Sequence, residues 1–199
     1  MVGKGSFICV EGLDGCGKTT QAKVLAERLG HQYKTVYTAE PSQGEIGTFI
    51  REYCLTNENR LSSIVEALLF AADRFEHVKN EVIPAVFEGT LVISDRYLCS
   101  SLAYQGAAGV SLEWIQKINQ NAINPDLVIF IDVEPKVAIN RLKREKSVME
   151  NVATLKKVRE IYMKFVQKGD LVRVEGNRPP EEVGKDILFL VRRFLKNRC

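Results

Sequence analysis

The chain has 199 residues, 45% of them apolar and 27% charged, which is enough to fill one domain and excludes a disordered or fibrous protein. Its 28 basic and 25 acidic residues leave a net charge of +3, well short of the concentrated basic face that nucleic-acid binding requires. The cysteines (Cys9, Cys16, Cys54, Cys99, Cys199) are odd in number and form no Cys-x-x-Cys pair, so neither a disulfide framework nor a zinc site is indicated.

In chain order, the apolar run Phe7–Val10 predicts a buried strand, and Lys18–Leu29 a helix with Ala22, Leu25, Ala26 and Leu29 on one face. Thr35–Tyr37 predicts a second strand. Ile64–Phe87 reads as one long apolar helix, with Pro84 as a kink or stop. Strand Leu91–Ser94, helix Leu112–Ile123, strand Leu127–Asp132, helices Lys136–Arg144 and Thr154–Gln167, strand Leu171–Val174 and helix Glu181–Leu195 complete the set. Buried strands alternating with helices predict a single α/β domain: three α/β/α layers around a five-stranded parallel sheet, with ligands at the carboxyl ends of the strands.

The short apolar run after Met1–Ser6 is below signal-peptide length. Stretches such as Leu127–Ile131 are far below the roughly 18 apolar residues of a membrane span. The expectation is a soluble cytoplasmic protein with no membrane or nucleic-acid partner.

The first strand runs into Gly12-Leu13-Asp14-Gly15-Cys16-Gly17-Lys18-Thr19, which matches G-x-x-x-x-G-K-[ST]. Glycines let successive N–H groups turn inward on a phosphate, and the helix starting at Lys18 adds its positive end. Lys18 is expected on the β- and γ-phosphates, and the Thr19 hydroxyl on Mg²⁺. This makes the chain an ATP or GTP binder without distinguishing kinase, GTPase and motor. Cys16 in this loop reads either as a nucleophilic thiol near a helix N-terminus or as a small filler.

Charged residues follow the other strands: Glu40-Pro41, Asp95-Arg96-Tyr97 and Asp132. Asp132 reads equally as a functional carboxylate or as a solvated cap or turn. Asp95 suits a magnesium-bound water, and Arg96 the charge on a transferred group. Arg51 and Arg74 fall where a second phosphate would bind. Arg74 lies among apolar neighbours, so it is either on the wet face of its helix or paired. Phe70, four residues earlier, shares its face, so a ring and a guanidinium stand ready for a base and its phosphate. Asn140–Lys146 holds four cations, either a solvated face or a lid spanning about 141–150.

With these residues assembled, the chain resembles thymidylate kinase from about Gly5 to the last helix. The similarity rests on Gly12–Thr20, Glu40-Pro41, Leu69–Arg74, Asp95-Arg96-Tyr97 and Ser101–Gly106. Tyr104-Gln105-Gly106 following Asp-Arg is the most discriminating part. The resemblance implies a homodimeric P-loop transferase of nucleotide biosynthesis that uses Mg²⁺ and ATP to convert dTMP to dTDP. It implies ATP contacts along Gly12–Thr20 and from Arg141, and a dTMP site of Asp14, Glu40, Pro41, Arg51, Phe70, Arg74, Arg96, Ser101, Tyr104 and Gln105. Phe70 would stack on thymine, and Arg74 would contact the base and help anchor the monophosphate. Arg51 and Arg96 would hold the acceptor phosphate, and Asp14 would lie near the sugar 3′-hydroxyl. Tyr104 would pack below the deoxyribose with Gln105 beside it.

The chain departs from the family pattern in places. Gly15 replaces the loop arginine of some members, which moves the expected catalytic cations to Arg141 and Arg144. The lid has only Met149-Glu150 where an Asp-Arg-Phe-Glu element is expected, and Ser101 stands where many relatives have asparagine. Two rival functions remain. A deoxynucleoside kinase would use Glu40 as a base on a neutral 5′-hydroxyl, but would leave Arg51 and Arg74 without an acceptor phosphate. A nucleotide-gated switch would need a base-recognition sequence such as Asn-Lys-x-Asp, which this chain lacks.

Overall fold

The computed structural model describes residues 5–54, 61–142 and 151–198. Five strands form one sheet: β1 (Ser6–Gly12), β2 (Thr35–Ala39), β3 (Leu91–Asp95), β4 (Leu127–Asp132) and β5 (Val172–Glu175). Their order is β2-β3-β1-β4-β5, and every pair is parallel. β1 is buried along its whole length because helices cover both faces of the sheet. Ile8, Val10, Leu91, Ile93, Ile129 and Ile131 point into the larger core, while Phe7, Cys9 and Val92 alternate to the other face against Val78, Val82 and Tyr97. The expected α/β/α architecture holds, with strand ends shifted by one or two residues.

The helices are α1 (Lys18–Gly30), α2 (Glu45–Phe49), α3 (Ser63–His77), α4 (Ile83–Phe87), α5 (Leu98–Ala107), α6 (Leu112–Ile118), α7 (Pro135–Arg141), α8 (Val152–Lys168) and α9 (Pro180–Lys196). Two π-helical turns join them, Ile50–Cys54 after α2 and Val78–Val82 between α3 and α4.

The single long helix expected over 64–87 is therefore interrupted, and upstream of Pro84 rather than at it. The Ile83 N–H bonds the Val78 carbonyl, a five-residue step that resets the ladder just before the proline, which has no N–H to contribute. α6 stops at Ile118, five residues short of expectation, because the Asn119 side chain turns inward. Its Nδ2 donates to the Ile115 carbonyl at 2.8 Å and its Oδ1 accepts from Arg74, so a side chain replaces the next helical turn.

α5 has no counterpart among the expected helices. Its N-cap, Tyr97, offers no side-chain hydrogen bond. Instead the Glu11 carboxylate at the end of β1 accepts from the N–H groups of Tyr97 (2.9 Å) and Ser100 (3.2 Å). The cap comes from the first strand, beyond the reach of local sequence pattern.

Candidate active site

The loop between β1 and α1 owes its shape to Gly12, Gly15 and Gly17, all at positive φ. Gly17 caps α1 without a side-chain bond, and the first turn of the helix carries no acidic residue. The first turn of α1 itself thus adds no negative charge to the positive end of the helix. Leu13 is fully buried and its carbonyl accepts from Lys18 Nζ at 3.2 Å. Lys18 also lies 3.5 Å from Asp14 Oδ1. Gly15 is pressed against α7: an added Cβ would fall 2.1 Å from the Ala138 carbonyl oxygen.

Cys16 is the small filler of the two readings. It is buried, its sulfur would lie 2.5 Å from a Cβ at position 12, and burial raises its thiol pKa above the ordinary value despite Lys18 nearby.

Thr19 and Asp95 meet across the rim, the Thr19 hydroxyl donating to Asp95 Oδ2. Asp95 Oδ1 is buried with no hydrogen-bond partner. Burial first, and then the Asp95 charge, pushes the Tyr37 hydroxyl up to about 12. Thr20 is exposed on the outer side of α1.

Arg96 follows β3 in a left-handed backbone conformation, φ 74, an uncommon state for a residue with a long side chain. Its N–H bonds the Val10 carbonyl at 3.0 Å, and Ser94 Oγ donates to its carbonyl at 2.7 Å. The guanidinium donates to Asp14 Oδ1 and to Ser100 Oγ at 3.0 Å, and lies 5.1 Å from the centre of the Tyr104 ring. Desolvation works against the Arg96 charge, but Asp14 first, with the Tyr104 and Tyr162 hydroxyls and Asp95 behind it, outweighs that and holds its pKa well above the ordinary arginine value. The structure thus brings together four expected residues: Asp14, Lys18, Arg96 and Tyr104.

A second cluster lies deeper. Arg74 is 1% exposed, which settles the sequence alternative in favour of a paired charge. Its guanidinium donates to Glu40 Oε2 (2.6 Å), Asn119 Oδ1 (2.7 Å) and Ser101 Oγ (3.1 Å), and lies over the Tyr97 ring. Glu40 also faces buried His77 Nδ1 at 3.3 Å. Phe70 is half-buried one turn before Arg74, and Gln105 is buried with its backbone carbonyl accepting from the Val110 N–H at 3.0 Å.

Arg51, in the first π turn, is half-buried and donates to the carbonyls of Pro41 (2.8 Å) and Ser42 and to Thr48 Oγ1 (3.0 Å). Asp73 organises this loop, since Ser42 donates to it from N–H (2.9 Å) and Oγ (2.6 Å). Sequence reasoning gave Asp73, Glu11, Ser100 and Asn119 no role. For Asp73 a signal existed, its place in the Leu69–Arg74 motif directly before Arg74.

Asp132 is neither a solvated cap nor a turn residue. It is 1% exposed and clamped by Arg159 (Nε 2.6 Å, Nη2 3.0 Å) and by Arg173 Nε (2.7 Å). Burial pushes its carboxyl up, but the two arginines outweigh that and hold it below the ordinary range. Arg141 is exposed at the end of α7 and places both terminal nitrogens on the Gly176 carbonyl, at 3.1 and 3.2 Å. Arg144, Met149-Glu150 and most of the expected lid lie outside the described residues.

A phosphate loop, a threonine–aspartate pair beside it and a left-handed arginine facing it are the parts of a phosphoryl-transfer centre. A family described as Thymidylate kinase matches residues 10–187. The chain belongs to the thymidylate kinase family. A probable thymidylate kinase of Pyrobaculum aerophilum is 42% identical over 96% of this chain and 98% of its own length. One of Pyrococcus abyssi is 44% identical over the same shares, 96% and 98%. The thymidylate kinase of a Thermoanaerobacter species is 39% identical over 96% of this chain and all of its own. The chain is thus a phosphotransferase with thymidylate kinase function. Among the described residues, no helix is long and apolar enough to cross a membrane.

Proposed function

We propose that the chain transfers the γ-phosphoryl group of Mg-ATP to dTMP, giving dTDP and ADP, as a cytoplasmic homodimer. The observation that carries this reading is the ion pair between Asp14 of the phosphate loop and Arg96 after β3, which joins the donor side of the site to the acceptor side. Lys18 and the backbone N–H groups from Gly12 to Thr20 take the donor phosphates. Arg141 and Arg144 serve as lid cations toward ATP. Arg51 and Arg96 take the acceptor phosphate. Arg74, already committed to Glu40, Ser101 and Asn119, serves the base pocket with Phe70, Ser101 and Gln105.

The side chains fit magnesium, because the Thr19 hydroxyl adjoins Asp95 and the unpartnered Asp95 Oδ1 is an acceptor for a metal-bound water. Magnesium supplies charge neutralisation of the phosphate oxygens when bound. A nucleoside monophosphate is mostly a dianion at neutral pH, its second pKa being near ~6. An acceptor oxygen therefore attacks the γ-phosphorus without a general base, and the bond to the β–γ bridging oxygen breaks in line. The protein's part is positioning and charge neutralisation by Lys18, Arg96 and the lid arginines.

The deoxynucleoside-kinase reading asks Glu40 to act as a base. That carboxylate is buried, with Oε2 held by Arg74 at 2.6 Å and Oε1 facing His77 at 3.3 Å, so both oxygens are already engaged within the fold, which argues against the role. The dimer reading rests on α3, where Ile64, Val65 and Leu68 stand exposed on one side of the helix. The free thiols of Cys9, Cys16 and Cys99 support a reducing compartment. The test is ADP production from Mg-ATP with dTMP, dUMP, the ribonucleotide of thymine, dCMP and thymidine in parallel. The expected result is the highest kcat/KM for dTMP, and turnover of thymidine alone overturns the reading.

A further inference from the structure

We propose that Glu11 is a positioning residue for the transfer, fixing the Arg96 guanidinium through the Ser100 hydroxyl; the inference rests on the role given to Arg96 above. Glu11 is 0% exposed, and the Arg96 guanidinium acts on it through space rather than by a direct ion pair among the described residues. Its carboxylate accepts four hydrogen bonds. Oε1 takes the Tyr97 and Ser100 N–H groups at 2.9 and 3.2 Å, and Oε2 takes Ser100 Oγ at 2.6 Å and the Tyr162 hydroxyl at 2.9 Å.

An anion buried this deeply is costly to desolvate, and burial raises the Glu11 pKa, with the Ser100 hydrogen bond the largest of the opposing influences and the Arg96 charge next. Capping α5 alone does not call for that cost, because a neutral side chain at position 97 would cap the helix locally.

What the charge adds is the direction of one proton. Ser100 has a single O–H, and the carboxylate claims it at 2.6 Å. The oxygen's lone pairs are then left for the Arg96 Nη1–H at 3.0 Å. On the main chain, Glu11 also fixes the N–H of Tyr97, the residue after the left-handed Arg96. Tyr162 ties α8, the helix that follows residues 143–150, into the same network.

Glutamine at position 11 keeps the size but puts an NH₂ group in place of one oxygen. With its carbonyl oxygen kept on the fixed Tyr97 and Ser100 N–H groups, the NH₂ faces the Ser100 and Tyr162 hydroxyls, so the Ser100 proton is no longer claimed and can turn toward Arg96. The test is Glu11→Gln, with Ser100→Ala and Tyr162→Phe beside it and folding checked by thermal melting. For Glu11→Gln, kcat with dTMP is expected to fall about tenfold to a hundredfold, the scale of a charge-assisted hydrogen bond, while ATP affinity stays within about twofold. Combined with Arg96→Lys, the loss is expected to be far smaller than the product of the two single losses. A crystal structure of Glu11→Gln is expected to show Arg96 turned away from Ser100.

Folded Glu11→Gln with wild-type kcat, or losses that multiply fully with Arg96→Lys, would overturn the proposal. Should Glu11→Gln not fold, Ser100→Ala decides by the same comparison. A wild-type enzyme inactive on dTMP would refute the reaction, while the Arg96 orientation in the crystal would still decide the positioning role.

Discussion

Tyr104 and Asp14 form a closed ring of hydrogen bonds: the phenol oxygen accepts from the Asp14 N–H at 2.9 Å and donates to Asp14 Oδ2 at 3.0 Å. One residue of α5 thereby fixes both the backbone and the side chain of the phosphate loop. Burial, reinforced by the Asp14 charge, holds the Tyr104 hydroxyl well above its ordinary pKa, so it stays a donor throughout the working range. Tyr104→Phe removes both bonds and leaves the ring in place. It should lower kcat/KM for dTMP about tenfold yet retain discrimination against the ribonucleotide. Parallel kinetics with the two acceptors check this.

The Arg74–Glu40 pair makes a prediction about stability. Both side chains are almost wholly buried, so removing one partner strands the other charge. Arg74→Met should destabilise the fold by about 3–5 kcal/mol, measured by urea denaturation. The double variant Arg74→Met/Glu40→Gln should recover part of that loss.

Asp132 predicts a pH dependence. Its folded pKa lies below the unfolded value, which is about 3.9, because Arg159 and Arg173 favour the anion. Its contribution is therefore complete above that unfolded pKa and is lost as pH falls through the lower folded one. Asp132→Asn should be less stable than the parent at neutral pH, and the gap should narrow below about pH 4. Urea midpoints across that range measure it.

The exposed apolar side of α3 predicts an assembly. Leu68 is 46% exposed and Ile64 56% exposed, and a carboxylate between two such faces would be desolvated without a partner. If the proposed dimer forms through this face, Leu68→Glu should convert a dimeric parent to a monomer in light scattering. A monomeric parent, or a variant of unchanged dimer mass, would overturn this assignment.

The sheet was readable in advance because buried parallel strands are short continuous apolar runs, as in Leu91–Ser94 and Leu127–Asp132. The phosphate loop was readable because its chemistry is local in sequence. Arg74 could be recognised as either paired or wet, but its partner Glu40 is 34 residues away and nothing near either residue points to the other. α5 escaped detection for the same reason, since its cap is the Glu11 carboxylate, 86 residues before Tyr97. Asp132 reads equally as a functional carboxylate or as a cap or turn in the sequence, because its two arginines, 27 and 41 residues downstream, belong to elements whose docking only the fold reveals.

The close seat of Gly15 against the Ala138 carbonyl constrains how this enzyme can change. At φ 83, with a Cβ arriving 2.1 Å from that oxygen, an arginine cannot enter the loop while α7 stays where it is. A loop arginine and this placement of α7 are mutually exclusive packings. Any route to a larger side chain at position 15, in evolution or in the laboratory, must move that helix first, so the loop and α7 can only change together.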